Sequence, residues 1–263
     1  MYTATEYIFP ESIEESYQLL ISNKNNAIIG GGLWMRLSSK NYHTLIDLSK
    51  LGMDKIEKRD NEIVIGAMVS LYDIETNPLT KNLFAGALAD SVSSIVGIQM
   101  RNSATIGGSI YSRFGFSDPL CALLAMDAEV ELFEEGRIPI DDFIHSDRKK
   151  DILIAIHIKD DGRKCAFESL RQTKTDFAVL NLCLGLLNDG SYRVAVGARP
   201  TCARRCFKAE EALLENDINR ALEQIEKMPY GSNMRGSEEY RSKMSSVLLK
   251  NAYEKIGGKI SED

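Results

Sequence analysis

The sequence predicts an α+β protein, and three observations carry that reading. Short runs rich in isoleucine, valine and leucine are followed by groups of helical segments instead of alternating strictly with them. Two such segments hold glycine clusters, Gly30-Gly31-Gly32 and Gly107-Gly108. The C-terminal part reads almost wholly as helix, over 203–214, 218–227 and 237–256.

Taken in order, Tyr7-Ile8-Phe9-Pro10 reads as an edge strand. A helix follows, because Ile13, Tyr17, Leu20 and Ile21 fall on one face and Glu11, Glu14 and Glu15 sit where the positive end of the helix dipole favours carboxylates. Asn23 to Asn26 end it. The run Ala27-Ile28-Ile29 delivers the triple glycine, and Thr44 to Leu48 reads as the strand returning beside it, which makes a small β-α-β unit. Residues 56–67 hold two short strands around Arg59-Asp60-Asn61, the signature of a hairpin. Helical segments follow over 71–75 and along Phe84, Ala87, Leu88, Ser91, Val92 and Ile95, which share a face. Strands are expected at 129–133 and 152–158, and the polar turn Lys159-Asp160-Asp161-Gly162 marks a boundary. Beyond it, 165–170 and 192–196 read as strands, while 177–187 is apolar enough for helix or strand. In the last helix Tyr240, Met244, Val247, Leu248 and Asn251 line one stripe, mostly apolar.

The chain is organised around residues 98–126. Gly107 and Gly108 read as a turn whose N–H groups approach a ligand closely, with the Thr105 and Ser109 hydroxyls on either side. Asp118 followed by Pro119 reads as N-cap and first residue of an apolar helix, so that Asn in place of Asp118 would keep the cap. Taken alone, a Gly-Gly pair is more often a simple tight turn. The upstream cluster changes that balance, because two glycine turns can clasp the two phosphates of a dinucleotide from opposite sides. Neither is the G-x-G-x-x-G fingerprint, which disfavours a nicotinamide-type Rossmann domain.

Composition bounds the rest. A chain of 263 residues, 44% hydrophobic and 27% charged, holds one large or two ordinary domains. A net charge of −6, with no basic block longer than Arg148-Lys149-Lys150, lacks the footprint of a nucleic-acid binder. No apolar run approaches a membrane span and Met1 to Glu6 lack signal-peptide character, so a cytoplasmic protein is expected. The five cysteines form no C-x-x-C pair. Cys202 and Cys206 could meet on a helix face, but with only His43, His145 and His157 elsewhere no metal site is expected, and buried inert thiols are the default. No catalytic side chain is nominated.

Ile29-Gly30-Gly31-Gly32 and Thr105-Ile106-Gly107-Gly108-Ser109, with Gln99-Met100-Arg101-Asn102 before the latter and Asp118 after it, resemble the FAD-binding subunit of the molybdenum hydroxylases. That group includes the xanthine dehydrogenase and carbon monoxide dehydrogenase medium subunits. Phe167 to Gln172 with Asp176-Phe177-Ala178, Val196 to Pro200 and Arg235 to Arg241 extend the resemblance over nearly the whole chain.

The resemblance implies FAD as cofactor, bound by a two-subdomain fold of the PCMH or vanillyl-alcohol-oxidase type over 1–160, with subdomains at about 1–52 and 53–160. A C-terminal α+β domain with a three-stranded sheet would occupy 161–263. The implied cofactor contacts are Ile29, Gly30, Gly31, Gly32, Leu33 and Trp34 from the first segment, Thr105, Ile106, Gly107, Gly108 and Ser109 from the second, and Asp118 on ribityl or phosphate-side hydroxyls. Ile95 and Tyr111 would lie near the isoalloxazine faces, although Tyr111 is as readily ordinary core. By the same resemblance the chain takes electrons from [2Fe-2S] clusters of a partner subunit in a complex that also holds a molybdenum-cofactor subunit, and passes them to NAD+ or another acceptor. The chain departs from the family in three places: it offers Gly32, Leu33 and Trp34 where Thr and Asp or Ser are common after the first glycines, Ser109 where Asn or Asp is frequent, and Ser169 near the place of a lysine in many relatives. The rival readings are a stand-alone flavin enzyme resembling the UDP-N-acetylenolpyruvoylglucosamine reductases, and a non-enzymatic nucleotide-binding scaffold.

Overall fold

The computed structural model describes residues 1–259. The chain opens with β1 (Thr3–Ile8), α1 (Ile13–Ser22), β2 (Ala27–Ile29) and β3 (Asn41–Asp47). The Ser12 hydroxyl caps α1 by accepting from the Glu15 N–H. The three strands form a parallel sheet in the order β1-β3-β2, so the β-α-β unit is present; β1 is an edge strand, but it runs earlier than expected and ends at Ile8, leaving Phe9 and Pro10 outside it.

A hairpin follows, β4 (Ile56–Arg59) and β5 (Glu62–Gly66), turning on Asp60 in the left-handed region. Six short helices come next: α2 (Leu71–Thr76), α3 (Pro78–Asn82), α4 (Ala87–Ser93), α5 (Ile98–Ser103), α6 (Ile106–Tyr111) and α7 (Asp118–Ala125). The helical face expected from Phe84 to Ile95 is shorter than its periodicity predicts, because Phe84, Ala85 and Gly86 all take positive φ and break the chain direction before α4. β6 (Glu129–Leu132), β7 (Gly136–Pro139), α8 (Ile140–His145) and β8 (Leu153–Lys159) complete an antiparallel sheet in the order β4-β5-β8-β6-β7.

Past the turn at 160–163 the chain enters another antiparallel sheet, built from β9 (Lys164–Leu170), β10 (Leu180–Leu186), β11 (Tyr192–Gly197) and β12 (Arg204–Arg205). Within the ambiguous run 177–187, residues 180–186 are therefore strand, paired on both sides over 181–186, while 177–179 belong to the loop before it. The sheet has four strands where three were expected, the addition being the two-residue β12. Helices α9 (Phe207–Leu214), α10 (Ile218–Glu226) and α11 (Glu238–Lys255) cover it. The expected stripe on α11 is rotated: Arg241, Ser245, Leu248, Leu249 and Ala252 are buried, while Tyr240 and Val247 are exposed. The reason is polar. The Arg241 guanidinium donates to the carbonyls of Val179, Gly231 and Gly236 and to Asn233 Oδ1, so it holds the loop before the helix in place from inside.

Every residue of α7 is buried. A helix that is apolar all round belongs in the middle of a protein, and α7 packs against α4 on one side and against β10 and β11 on the other. Gly185 of β10 allows this approach, since a Cβ there would lie 2.1 Å from the Ala125 carbonyl oxygen. The largest buried cluster consequently runs from the 63–158 region into Cys165, Phe167, Cys183 and Ala195 of the last sheet. Among the described residues no helix is long and apolar enough to cross a membrane.

Candidate functional site

The two glycine segments meet. A Cβ on Gly31 would lie 1.5 Å from the Ser103 carbonyl oxygen, and one on Gly30 would lie 2.5 Å from Thr105 Oγ1. The loop after β2 thus rests on the end of α5 and the start of α6 with no room for side chains, while Gly32 turns the chain at φ +67°. Beside this junction opens a cavity of about 320 Å³.

Most nominated residues line it. Gly30, Gly31, Gly32, Leu33 and Trp34 form one wall, and Thr105, Gly107, Gly108 and Ser109 form another. Ile95, Tyr111 and Asp118 complete the set that the fold brings together. Ile29 and Ile106 do not reach the cavity and lie buried beneath the two segments.

The local conformation of the second segment differs from the turn expected. Gly107 and Gly108 sit in the first turn of α6, with Thr105 as its N-cap. Their N–H groups are taken: Gly107 donates to the Ala67 carbonyl at 2.9 Å and Gly108 to Thr105 Oγ1 at 3.2 Å. The Ser109 hydroxyl is also occupied, donating to the Thr105 carbonyl. What the glycines supply is approach. A Cβ on Gly107 would lie 2.6 Å from the Ala67 carbonyl oxygen, so that residue must be glycine for packing. Gly108 is exposed on the cavity side, and the nearest atom to a Cβ there is Thr105 Oγ1 at 3.1 Å.

Free donors come instead from the first segment. Among the described residues the N–H groups of Gly31, Gly32, Leu33 and Trp34 have no protein acceptor, although all four line the cavity. Backbone donors clustered around a left-handed glycine form an anion-binding concavity.

Asp118 is not the N-cap. Ser117 holds that position without a side-chain hydrogen bond, and Asp118 is the first helical residue. Its carboxylate points sideways, accepting from Arg171 Nη2 at 2.6 Å and from the Asn181 amide. The Asp118 and Arg171 side chains are 4% and 7% exposed. Burial pushes the Asp118 carboxyl above its ordinary range, and Arg171 and Asn181 pull it back. The pair ties α7 to the ends of β9 and β10, at the edge of the cavity.

Tyr111 is fixed by two bonds, its hydroxyl donating to the Lys149 carbonyl and accepting from the Asp151 N–H at 3.0 Å. Burial raises its pKa. The remaining wall was not nominated from sequence: Arg171, Phe114, Phe116 and Phe177 also face the cavity. No local pattern marks them, since they come from the segment after α6 and from the loop between β9 and β10. Among the described residues no group of three or more His, Cys, Asp or Glu side chains could hold a metal ion. Cys202 and Cys206 lie outside any helix interior, Cys206 being the N-cap position of α9. The cavity therefore offers backbone donors for an anionic group and an apolar, aromatic wall for flat rings. Its fit to a flavin dinucleotide rests on those two features.

Residues 3–158 match the family described as the FAD binding domain in molybdopterin dehydrogenase. Among curated proteins, the uncharacterized protein YgfM of Escherichia coli K12 is 27% identical over 255 residues, covering 94% of this chain and 95% of that protein. The glyceraldehyde dehydrogenase medium chain of Sulfolobus acidocaldarius is 23% identical over 276 residues, covering 95% of this chain and 97% of that protein. Among solved structures, a chain of carbon monoxide dehydrogenase from Hydrogenophaga pseudoflava superposes with a TM-score of 0.84 at 23% identity, over 95% of this chain and 96% of that one. A chain of quinoline 2-oxidoreductase from Pseudomonas putida 86 gives 0.81 at 21% identity, over 97% and 95%.

Proposed function

The chain belongs to the family of FAD-binding domains of molybdopterin dehydrogenases, and from that premise we propose that it carries electrons between a [2Fe-2S] partner subunit and a soluble acceptor such as NAD+. Its cofactor is FAD, and it is a flavoprotein oxidoreductase component of a molybdenum hydroxylase-like complex. FAD, when bound, supplies the exchange between single-electron donors and a hydride acceptor. The chain's own groups bind and orient it.

The observation that carries the site assignment is the junction of the two glycine segments. On this reading the free N–H groups from Gly31 to Trp34 receive the pyrophosphate, and Gly108 leaves its approach clear. The Thr105 and Ser109 hydroxyls act one step back, holding the α6 turn in shape. Asp118 and Arg171 fix the cavity wall against the last sheet, and Ile95 and Tyr111 supply apolar surface to the ring system. We also take 1–160 as the cofactor-binding region and 161–263 as the domain that closes the cavity through Arg171 and Phe177.

The experiment is anaerobic. The full chain is reconstituted with FAD, excess cofactor is removed, and NADH is added while flavin absorption is followed. Bleaching is expected when NAD+ is the physiological acceptor. A chain that keeps FAD but resists NADH, yet is reduced by its co-purified iron–sulfur partner, has another acceptor; a chain that never retains FAD refutes the site.

A further inference from the structure

Arg113, Arg148, Arg199 and Arg204 gather beside the cavity, and among the described residues none of the four has a carboxylate within ion-pair distance. Segments distant in sequence are tied together here. Arg113 donates to the carbonyl and hydroxyl of Ser146, and Arg148 donates in return to the Ser112 carbonyl. The 198–202 loop closes on the same place: the Ala198 N–H donates to the Gly115 carbonyl at 2.8 Å, and a Cβ on Gly115 would lie 2.6 Å from the Pro200 carbonyl oxygen. That loop carries Arg199 and Cys202, and Arg204 follows it. Cys202 is their common neighbour, because burial raises its thiol while the charges of Arg113, Arg199 and Arg148 all act against that rise.

The cluster holds like charges together. Burial lowers the pKa of Arg113 and of Arg199, and a neighbouring guanidinium, Arg148 for the first and Arg204 for the second, lowers each further. The Glu135 carboxylate acts on Arg113 only from beyond ion-pair distance. Arg199 is 5% exposed, donates from Nη1 to the Pro229 carbonyl, and leaves its buried Nε without an acceptor; the Nε of Arg113 is buried and unpaired as well. A buried donor left unpaired costs free energy that an anion in contact with it returns. Of the basic triplet 148–150, Lys150 is spent on the carbonyls of Leu20, Asn23 and Asn26, whereas Arg148 is left for the cluster.

We propose that these four arginines form a binding site for the phosphate or diphosphate group of a small molecule, at the edge of the flavin cavity. A guanidinium meets phosphate oxygens with two parallel N–H bonds. The depths of the four select a small anion: Arg199 is buried, Arg113 half-buried, and Arg148 and Arg204 exposed, so a flat acidic protein surface would meet only the outer two. A nucleic acid would be repelled by the rest of a chain whose net charge is −6. Two sources share the chemistry. One is the diphosphate of a soluble acceptor, since Ser112 and Phe114, on either side of Arg113, line the cavity; that assignment rests on the functional reading above. The other is inorganic pyrophosphate acting by itself.

The FAD-loaded full chain is titrated calorimetrically with inorganic pyrophosphate and with ADP-ribose at constant ionic strength, alongside Arg148→Gln, Arg204→Gln and the double variant. These substitutions change exposed side chains and leave the buried Arg199 in place. Saturable binding is expected, weakened about three- to tenfold by each substitution and lost in the double variant. Cys202, alone among the five cysteines in not being buried, locates the ligand: saturating pyrophosphate should slow its alkylation severalfold in the wild type and leave it unchanged in the double variant. Tighter binding of ADP-ribose than of pyrophosphate supports the site with the acceptor as source, and the reverse order supports it with the inorganic anion. No binding of either probe, binding unchanged in the double variant, or equal protection of Cys202 by sodium chloride at the same ionic strength overturns the inference and leaves the functional reading standing. A chain that binds pyrophosphate through these arginines but retains no FAD overturns the functional reading and leaves the site.

Discussion

Replacing Asp118 by Asn tests what that residue does. An N-cap would tolerate Asn, because the amide oxygen accepts the same backbone bond. The structure makes the opposite forecast. Asp118 and Arg171 are 4% and 7% exposed and 2.6 Å apart, so Asp118→Asn would leave the guanidinium buried without its counter-charge. Breaking a buried pair by removing one partner costs about 3–5 kcal/mol. At roughly 2–4 °C per kcal/mol for a chain of this size, the apo-protein melting temperature should fall by roughly 6–20 °C. Arg171→Met should cost less, because burial already pushes the Asp118 carboxyl upward and protonation relieves the orphaned charge. The double variant separates the pair from its parts: it should be more stable than the sum of the single effects by about 2 kcal/mol or more. Melting curves of the three apo-proteins at neutral pH decide the matter. A loss below about 1 kcal/mol in Asp118→Asn, the size of a charge acting on the helix dipole alone, would refute the ion-pair argument.

The adjacent glycines should behave differently. Gly108→Val should fold but lose flavin absorption after reconstitution, whereas Gly107→Val should fail to give a soluble chain, because only Gly107 faces a backbone carbonyl at 2.6 Å; equal melting temperatures would contradict this. Cys121, Cys165 and Cys183 are buried, and burial pushes the Cys165 thiol up to about 12, so a thiol-specific reagent should leave these three unmodified until denaturant exposes all five cysteines. Rapid modification of any of the three in the native protein would mean the core opens. Glu62 is held below the usual carboxylate range, chiefly by its hydrogen bond from Arg137. Its contribution to stability is therefore present above the ordinary glutamate range and disappears as pH falls through the lowered value. Glu62→Gln should flatten the acid limb of the stability profile measured by urea melts, and an unchanged slope would remove Glu62 from it.

Where the forces are local, sequence alone determined the outcome. The helix α1 with Leu20 buried, the hairpin at 56–67 and the glycine loop after β2 all follow from side-chain spacing and turn chemistry within a few residues, although Ile21, expected on the apolar face of α1, is 47% exposed. The recurrent blocks also identified the family and, through it, FAD. Only the tertiary structure decided the rest. Gly107 and Gly108 became helix because Ala67 and Val69 supply carbonyls to the first turn of α6 from a strand end about forty residues away in sequence. Asp118 turned from its own helix to Arg171 and Asn181, partners 53 and 63 residues downstream, because a buried carboxylate goes where charge-assisted donors are. The stripe on α11 rotated because Arg241 was drawn inward by four oxygens that the helix itself does not carry. Likewise, nothing local to Phe114, Phe116 or Phe177 announces a shared wall with Trp34, since the rings come from three segments far apart in the chain. Periodicity records how a segment meets its neighbours in the chain; burial and polar satisfaction are settled by neighbours in space.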